Sequence, residues 1–201
     1  MKFLKRHAYA LVFTLFLMGA NVYSLLKVFV IPSAVSTVSA NTTSSSTSSS
    51  TASISTGKVT KTDTTYKDDN MDIKITTGKT SDTTYYVADI KLSSADYLKT
   101  ALAQNTYGTN ITDTTSSIAQ KNNAIFAING DYYGANQSGY VIKNGQVYRD
   151  TNRNSDYEDL AVYSDGSFKT FKESDTTAQK LVDSGVVNTF AFGPTLVENG
   201  K

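Results

Sequence analysis

At 201 residues the chain has room for one domain with appendages. Its 19 basic and 18 acidic residues nearly cancel, which argues against a nucleic-acid footprint, and it holds no cysteine and one histidine, His7, inside an N-terminal basic cluster. Disulfides, Cys–His zinc centres, cysteine nucleophiles and a Ser-His-Asp triad are thereby excluded, so any acid–base chemistry rests on Asp, Glu, Lys, Tyr or a bound ion.

Lys2, Lys5 and Arg6 precede an apolar run from Ala8 to Ile31 that only Asn21 and Lys27 interrupt. Crossing a bilayer takes about 20 apolar residues. The basic flank favours the cytoplasmic side, which puts the remainder outside. Residues 1–32 are read as a signal anchor or a signal peptide. Lys27 can snorkel from the end of a span; the alternative is a signal core at Ala10–Ala20 with small residues for cleavage at Val38-Ser39-Ala40. The expected location is the cell membrane, single-pass with the domain outside, or secreted if the signal is cleaved. Residues 33–65 are read as a disordered Ser/Thr-rich linker, including NTTSSSTSSSTAS, with almost nothing to bury. Asn41, Asn110 and Asn136 stand in glycosylation sequons, a motif of low specificity.

Residues 66–201 read as the globular part. Asp72–Ile75 and Tyr85–Leu92 alternate like strands. Ser94 is placed to cap a helix over Ala95–Gln104, and Ser116–Lys121 holds another helical turn. Ala124–Ile128 is wholly apolar and is expected to be a short strand buried on both faces. Hairpins are expected where Gly139–Lys143 and Gln146–Arg149 flank Asn144-Gly145, and where Asp159–Tyr163 and Ser167–Phe171 flank Ser164-Asp165-Gly166. Thr176–Ser184 reads as a helix ended by Gly185, and Val187–Phe192 as a strand ending at Gly193-Pro194. Thr195–Val197 then meets a turn at Glu198-Asn199-Gly200, which leaves half a hairpin with an unpaired edge. The expectation is that the domain continues past Lys201. The predicted fold is α+β, a mixed, largely antiparallel sheet with hairpins and a few short helices.

The stretch Asn129-Gly130-Asp131-Tyr132-Tyr133 follows the apolar run directly. Such a stretch is often no more than a turn with a capping acid. It is also a composition that suits a sugar: an amide and a carboxylate bond hydroxyls, a ring packs on a pyranose face, and glycines let backbone approach closely. Asp150, Asp156, Glu158 and Asp159 form an acidic segment with hard oxygen ligands, but without an EF-hand pattern. The expectation is no bound metal and no cofactor.

Ala127-Ile128-Asn129-Gly130-Asp131-Tyr132-Tyr133, followed by Gly139-Tyr140-Val141-Ile142-Lys143-Asn144-Gly145, resembles the core signature of the phosphodiester glycosidase family, whose type activity is that of N-acetylglucosamine-1-phosphodiester alpha-N-acetylglucosaminidase. Phe192-Gly193-Pro194-Thr195-Leu196-Val197-Glu198-Asn199-Gly200 resembles a second motif of that family, in the same order and at a fitting distance. The resemblance extends over about residues 85–201. A Leu-Asp-Gly-Gly-Gly-Ser motif that follows in the family does not occur in the chain. The resemblance therefore covers the N-terminal half of the family domain and leaves the completeness of the active site open. Bacterial members include exported, exopolysaccharide-related proteins with an N-terminal anchor and a low-complexity linker.

The resemblance implies hydrolysis of a sugar-1-phosphodiester through an oxocarbenium-like transition state. Asp131 is the candidate carboxylate, and Asn129 the group that holds it or a sugar hydroxyl. Gly130, Tyr132, Tyr133, Gly139 and Arg149 are the candidate substrate contacts, with Lys143 and Arg153 as further cations for the phosphate. Tyr132 and Tyr133 should face opposite sides, so that one reaches substrate. The expected partners are a glycan or sugar-phosphate substrate and the membrane. A tethered domain that binds polysaccharide without turning it over is the alternative.

Overall fold

The structure is a computed structural model and describes residues 2–34, 58–153 and 156–197. Most of the linker read at 33–65 and the turn expected at 198–200 lie outside the described residues.

Helix α1 spans Lys2–Phe29. Within it Ala8–Phe29 forms a stretch of 22 residues, interrupted by Asn21 and Lys27, with mean hydropathy 1.7. At 1.5 Å per residue that is about 33 Å, enough for a hydrocarbon core. The side chains from Tyr9 to Phe29 stand exposed, so no protein core accounts for their apolarity. At the helix exit, strand β1 (Ser33–Ala34) pairs antiparallel with β6 (Gly108–Thr109). Asn110 donates its amide to the carbonyls of Val28 and Ile31 (2.9 and 3.4 Å).

The first sheet has the order β2-β3-β4-β5, all antiparallel, with β2 Thr60–Lys61, β3 Thr65–Lys67, β4 Met71–Lys79 and β5 Thr84–Leu92. Two of these strands begin inside the stretch read as linker. The β4–β5 hairpin runs nine residue pairs without a slip. On one face Asp72 opposes Lys91 and Lys74 opposes Asp89. Such opposite-charge pairs add roughly 0.2–1 kcal/mol each. The other face is apolar, with Ile73 opposite Ile90 and Ile75 opposite Ala88, yet only Ile73 is fully buried.

Between the sheets the expected helix over Ala95–Gln104 is absent. Ser94 does cap, accepting from Asp96 N at 3.1 Å, but only a 3-10 turn over Ala95–Tyr97 follows. Thr100 explains the break. Its N–H donates to Asn144 Oδ1 (3.1 Å), its carbonyl accepts from Asn144 Nδ2 (2.7 Å) and its hydroxyl donates to Asn188 Oδ1 (2.8 Å). Helical backbone at Thr100 would forfeit these long-range bonds. Helix α2 (Thr115–Lys121) forms as expected, capped by Thr114.

The expectation for Ala124–Ile128 fails. The run is not a strand, and Ile125 and Ile128 are 45% and 77% exposed. A strand is made by its neighbour, and among the described residues none pairs with this run.

The core lies under the second half. The hairpin of β7 (Val141–Lys143) and β8 (Gln146–Arg149) turns at Asn144 and Gly145, whose φ angles of 51° and 80° are the positive values that this residue pair accepts readily. Strands β9 (Glu158–Tyr163), β10 (Phe168–Lys172) and β11 (Val186–Phe190) form a sheet in the order β10-β9-β11. Helix α3 (Ala178–Asp183) precedes β11, capped by Thr177 and ended by Gly185 at φ 99°. Tyr140, Ile142, Ala161, Ala178, Leu181 and Val186 pack as one buried cluster. The β7–β8 hairpin is joined to β11 by side chains. Thr189 Oγ1 accepts from Ile142 N (3.0 Å) and donates to Tyr140 O (3.2 Å), while Asn188 Oδ1 accepts from Asn144 N (2.9 Å). With antiparallel sheets and short helices, the architecture is α+β.

Candidate functional site

The sequence-predicted residues divide into three groups. Asn129, Gly130 and Tyr132 stand exposed, Tyr132 at 75%. Tyr132 meets Phe192 edge to face, the ring centres 6.4 Å apart. Asp131 turns inward, its side chain 3% exposed. Its Oδ1 accepts from Lys143 Nζ at 3.1 Å and its Oδ2 from Ala191 N at 3.0 Å. Lys143 and Ala191 thus fill the role that sequence reasoning gave to Asn129.

Lys143 is itself buried. Its ammonium also donates to Thr189 O (2.7 Å) and lies 4.1 Å from the ring centre of Phe190 and 5.8 Å from that of Tyr133. Burial pulls the Lys143 pKa below its ordinary value, against the opposing pull of the Asp131 carboxylate. The pair joins the loop after the apolar run to the end of β11. The two stretches that carry the family resemblance therefore meet here through Tyr132 with Phe192, and Ala191, the residue before the second stretch, donates to Asp131.

Tyr133, Arg149 and Gly139 form the third group, beside a cleft of about 250 Å³ walled by Tyr107, Tyr133 and Tyr148, with Asn136, Arg149 and Asp150 among its polar lining. Tyr107 stacks on Tyr133 at 5.6 Å and tilts against Tyr148 at 5.1 Å. Burial raises the phenol pKa of Tyr107. It does the same for Tyr133, where the Asp131 carboxylate adds to the effect. Both phenols are therefore hydrogen-bond donors at neutral pH. As expected, Tyr132 and Tyr133 part company, one to solvent and one to the cleft.

Arg149 braces this loop. Its Nε donates to Gly139 O (2.6 Å) and its Nη1 to the carbonyls of Tyr133 (2.9 Å) and Asn136 (2.5 Å). Gly139 has a φ of 101°, and a Cβ there would lie 3.4 Å from Arg153 Nε and 3.5 Å from Glu173 Oε1. These are ordinary contact distances, so the positive φ is what penalises a side chain there. Gly139→Ala is expected to cost at least about 1 kcal/mol in chemical denaturation; a neutral substitution would show the loop free to relax.

Arg153 is committed elsewhere. It pairs with Asp159 (2.5 Å) and approaches Glu173 (3.7 Å), both carboxylates being almost fully buried. Glu173 also accepts from the backbone of Tyr140 (2.6 Å) and Arg153 (2.5 Å). Asp159 Oδ2 has no hydrogen-bond partner. The acidic segment 150–159 does not gather: among the described residues no three His, Asp or Glu side chains converge as metal ligands. All three cations considered for phosphate thus have internal partners, and Arg149 alone of them borders the cleft.

Sequence reasoning missed Tyr107, Tyr148 and Glu173. Tyr107 lies outside both motif stretches, and its contact with Tyr133 arises only from the tertiary path of the chain.

No solved structure matches the chain. The chain is 30% identical over 99 residues to the SPbeta prophage-derived uncharacterized protein YomE of Bacillus subtilis (strain 168). That alignment covers 47% of this chain and 15% of the relative's length. Residues 122–201, a span starting later than the resemblance read from about residue 85, match the phosphodiester glycosidase family.

Proposed function

We propose that the chain is an exported, membrane-tethered phosphodiester glycosidase-like protein that hydrolyses sugar-1-phosphodiester linkages in cell-surface or extracellular polysaccharide. The observation that carries this reading is the contact of the two family motifs at Tyr132 and Phe192, beside the bond from Ala191 to Asp131 and inside the span that matches the family. The aromatic cleft suits the sugar: Tyr133 and Tyr148 offer ring faces, and Asn136 and Asp150 offer groups for hydroxyls. Arg149 provides the positive charge for the phosphate. In the reaction water adds to the anomeric carbon and the phosphomonoester departs. Phosphate is a good leaving group, so the main demand is stabilisation of positive charge on the sugar, which suits a carboxylate. Asp131 is the proposed carboxylate and Asn129 a proposed hydroxyl contact. The apolar part of α1 is proposed to hold residues 66–201, the proposed catalytic domain, outside the cell.

One observation favours a second reading, a domain that binds polysaccharide without cleaving it. Asp131 has both oxygens engaged and its side chain is 3% exposed. Asp131→Asn separates the two. For an enzyme, release of free sugar from a sugar-1-phosphodiester should fall by about 10²–10⁴-fold while sugar affinity stays within a few-fold. Measurements are made below the melting point of the variant. Equal loss of binding and turnover would count against a catalytic Asp131, and sugar binding without turnover in the parent chain would favour the binding domain.

A further inference from the structure

Two buried carboxylates share one guanidinium. The side chains of Asp159 and Glu173 are 1% and 3% exposed, and Arg153 Nη2 lies 2.5 Å from Asp159 Oδ1 and 3.7 Å from Glu173 Oε1. With both acids ionised, the trio carries a surplus negative charge where water screens it poorly. Asp159 Oδ2 is buried and has no hydrogen-bond partner. One proton on that oxygen removes the surplus charge and supplies a donor toward Glu173. The other neighbours leave this balance intact. Strand β10 sets Phe171 opposite Asp159, while Glu158 and Lys172, one step along, fall on the other face of the strand pair. Beyond the end of β11, Asp131 is paired with Lys143. Arg149 approaches from the Glu173 side, where its Nη2 and Glu173 Oε1 flank the same point beside Gly139. Arg153 and Glu173 are the charges that act on Asp159.

The two acids are not equally free to move. Asp159 belongs to β9, the central strand of its sheet. Glu173 opens a 3-10 turn, Glu173–Asp175, between β10 and α3, and the other two residues of that turn are exposed. Glu173 is also where both ends of the β7–β8 hairpin are tied. Its Oε1 accepts from Tyr140 N (2.6 Å) and its Oε2 from Arg153 N (2.5 Å). Its backbone carbonyl accepts from Asn152 Nδ2 (2.7 Å) and Tyr140 Oη (3.3 Å). Between these ties, the chain from Tyr148 to Thr151 forms one wall of the cleft.

We propose that Glu173 is a latch on the cleft wall, closed while the Asp159–Glu173 pair holds one proton and opened when that proton passes to water. The second negative charge repels Glu173, the movable partner, from Tyr140 N and Arg153 N. The wall from Tyr148 to Thr151 then loses its anchor at both ends of the hairpin. The latch acts on the cleft whatever ligand the cleft takes.

Hydrogen exchange read by NMR on the full chain in detergent micelles tests it. Between about pH 6 and 8, a window that brackets the Asp159 titration at about 7, protection of the Tyr140 and Arg153 amides should fall by roughly tenfold, corrected for the intrinsic rate. The reference is Ile142 N, which donates to Thr189 Oγ1 and not to the latch. The Tyr148 ring resonances should shift over the same window. In Asp159→Asn the side-chain amide is a permanent donor, so Tyr140 and Arg153 should stay protected at both ends of the window. Glu173→Gln keeps one acceptor oxygen, so one of the two amides should exchange fast throughout, without pH dependence. This variant carries the test by itself if Asp159→Asn does not fold. Protection that ignores pH in the parent, an equal fall at Ile142, a fall that persists in a folded variant, or a Tyr148 ring that does not respond would each overturn the proposal.

Discussion

Lys143→Met is expected to destabilise the domain by about 3–5 kcal/mol, the cost of removing one partner from a buried ion pair. The substitution leaves Asp131, its side chain 3% exposed, without its counter-ion, and strips Thr189 O of a donor. Adding Asp131→Asn should recover more than half of the loss. The amide oxygen still accepts from Ala191 N, and the stranded charge is gone. Urea denaturation of the two variants against the parent checks both parts. A loss under about 1 kcal/mol for Lys143→Met would show the pair to be solvated. Because the pair joins the loop at Asp131 to the end of β11, the same variant should also loosen the contact between Tyr132 and Phe192.

The second expected result concerns pH. Burial, with help from neighbouring Glu173, pushes the Asp159 carboxyl up to about 7, although Arg153 pulls the other way. The folded state therefore keeps a proton that the unfolded chain releases near pH 4. The stabilisation from this group is complete below about pH 4 and is lost as pH rises through 7. Geometry agrees: a proton gives the partnerless Oδ2 a donor to turn toward Glu173. Melting temperature should fall between about pH 4 and 7 in the parent, apart from other groups, and this component should vanish in Asp159→Asn. There the amide supplies the donor permanently, while its oxygen still accepts from Arg153. Arg153→Leu should act in the opposite sense, costing about 3–5 kcal/mol at pH 8 and less at pH 5. A parent that gains stability across that window, with Asp159→Asn following it, would reverse the assignment.

Much of the fold was legible where it depends on local chemistry. Asn144-Gly145 and Ser164-Asp165-Gly166 demand turns, and the strands around both are where the alternation puts them. Thr177 and Gly185 mark the ends of a short helix by local signals alone. What was not legible depends on partners far along the chain. Ala124–Ile128 has a strand's composition but no neighbour to pair with. The segment after Ser94 has a helix's cap, but Thr100 is tied to Asn144 and Asn188. At the site, both motifs and the loop were visible from spacing and type. The partner of Asp131 was not, because Lys143 lies twelve residues on and reaches back across the hairpin. Nor was the commitment of Arg149 and Arg153, since a cation in sequence looks the same whether it meets phosphate or its own backbone.

The pairing of Ser33–Ala34 with Gly108–Thr109 changes what the Ser/Thr segment can do. The segment read at 33–65 was expected to act as a leash between membrane and domain. Both of its flanks are instead stitched to folded strands, one at β1 and one at β2. Under the proposed membrane reading, Val30-Ile31-Pro32 alone separates the end of α1 from the strand pair whose Gly108 and Thr109 edge the cleft. The cleft then works like a tool bolted to the bilayer surface. Under that reading its working height above the bilayer is set by those three residues and the β1–β6 pair.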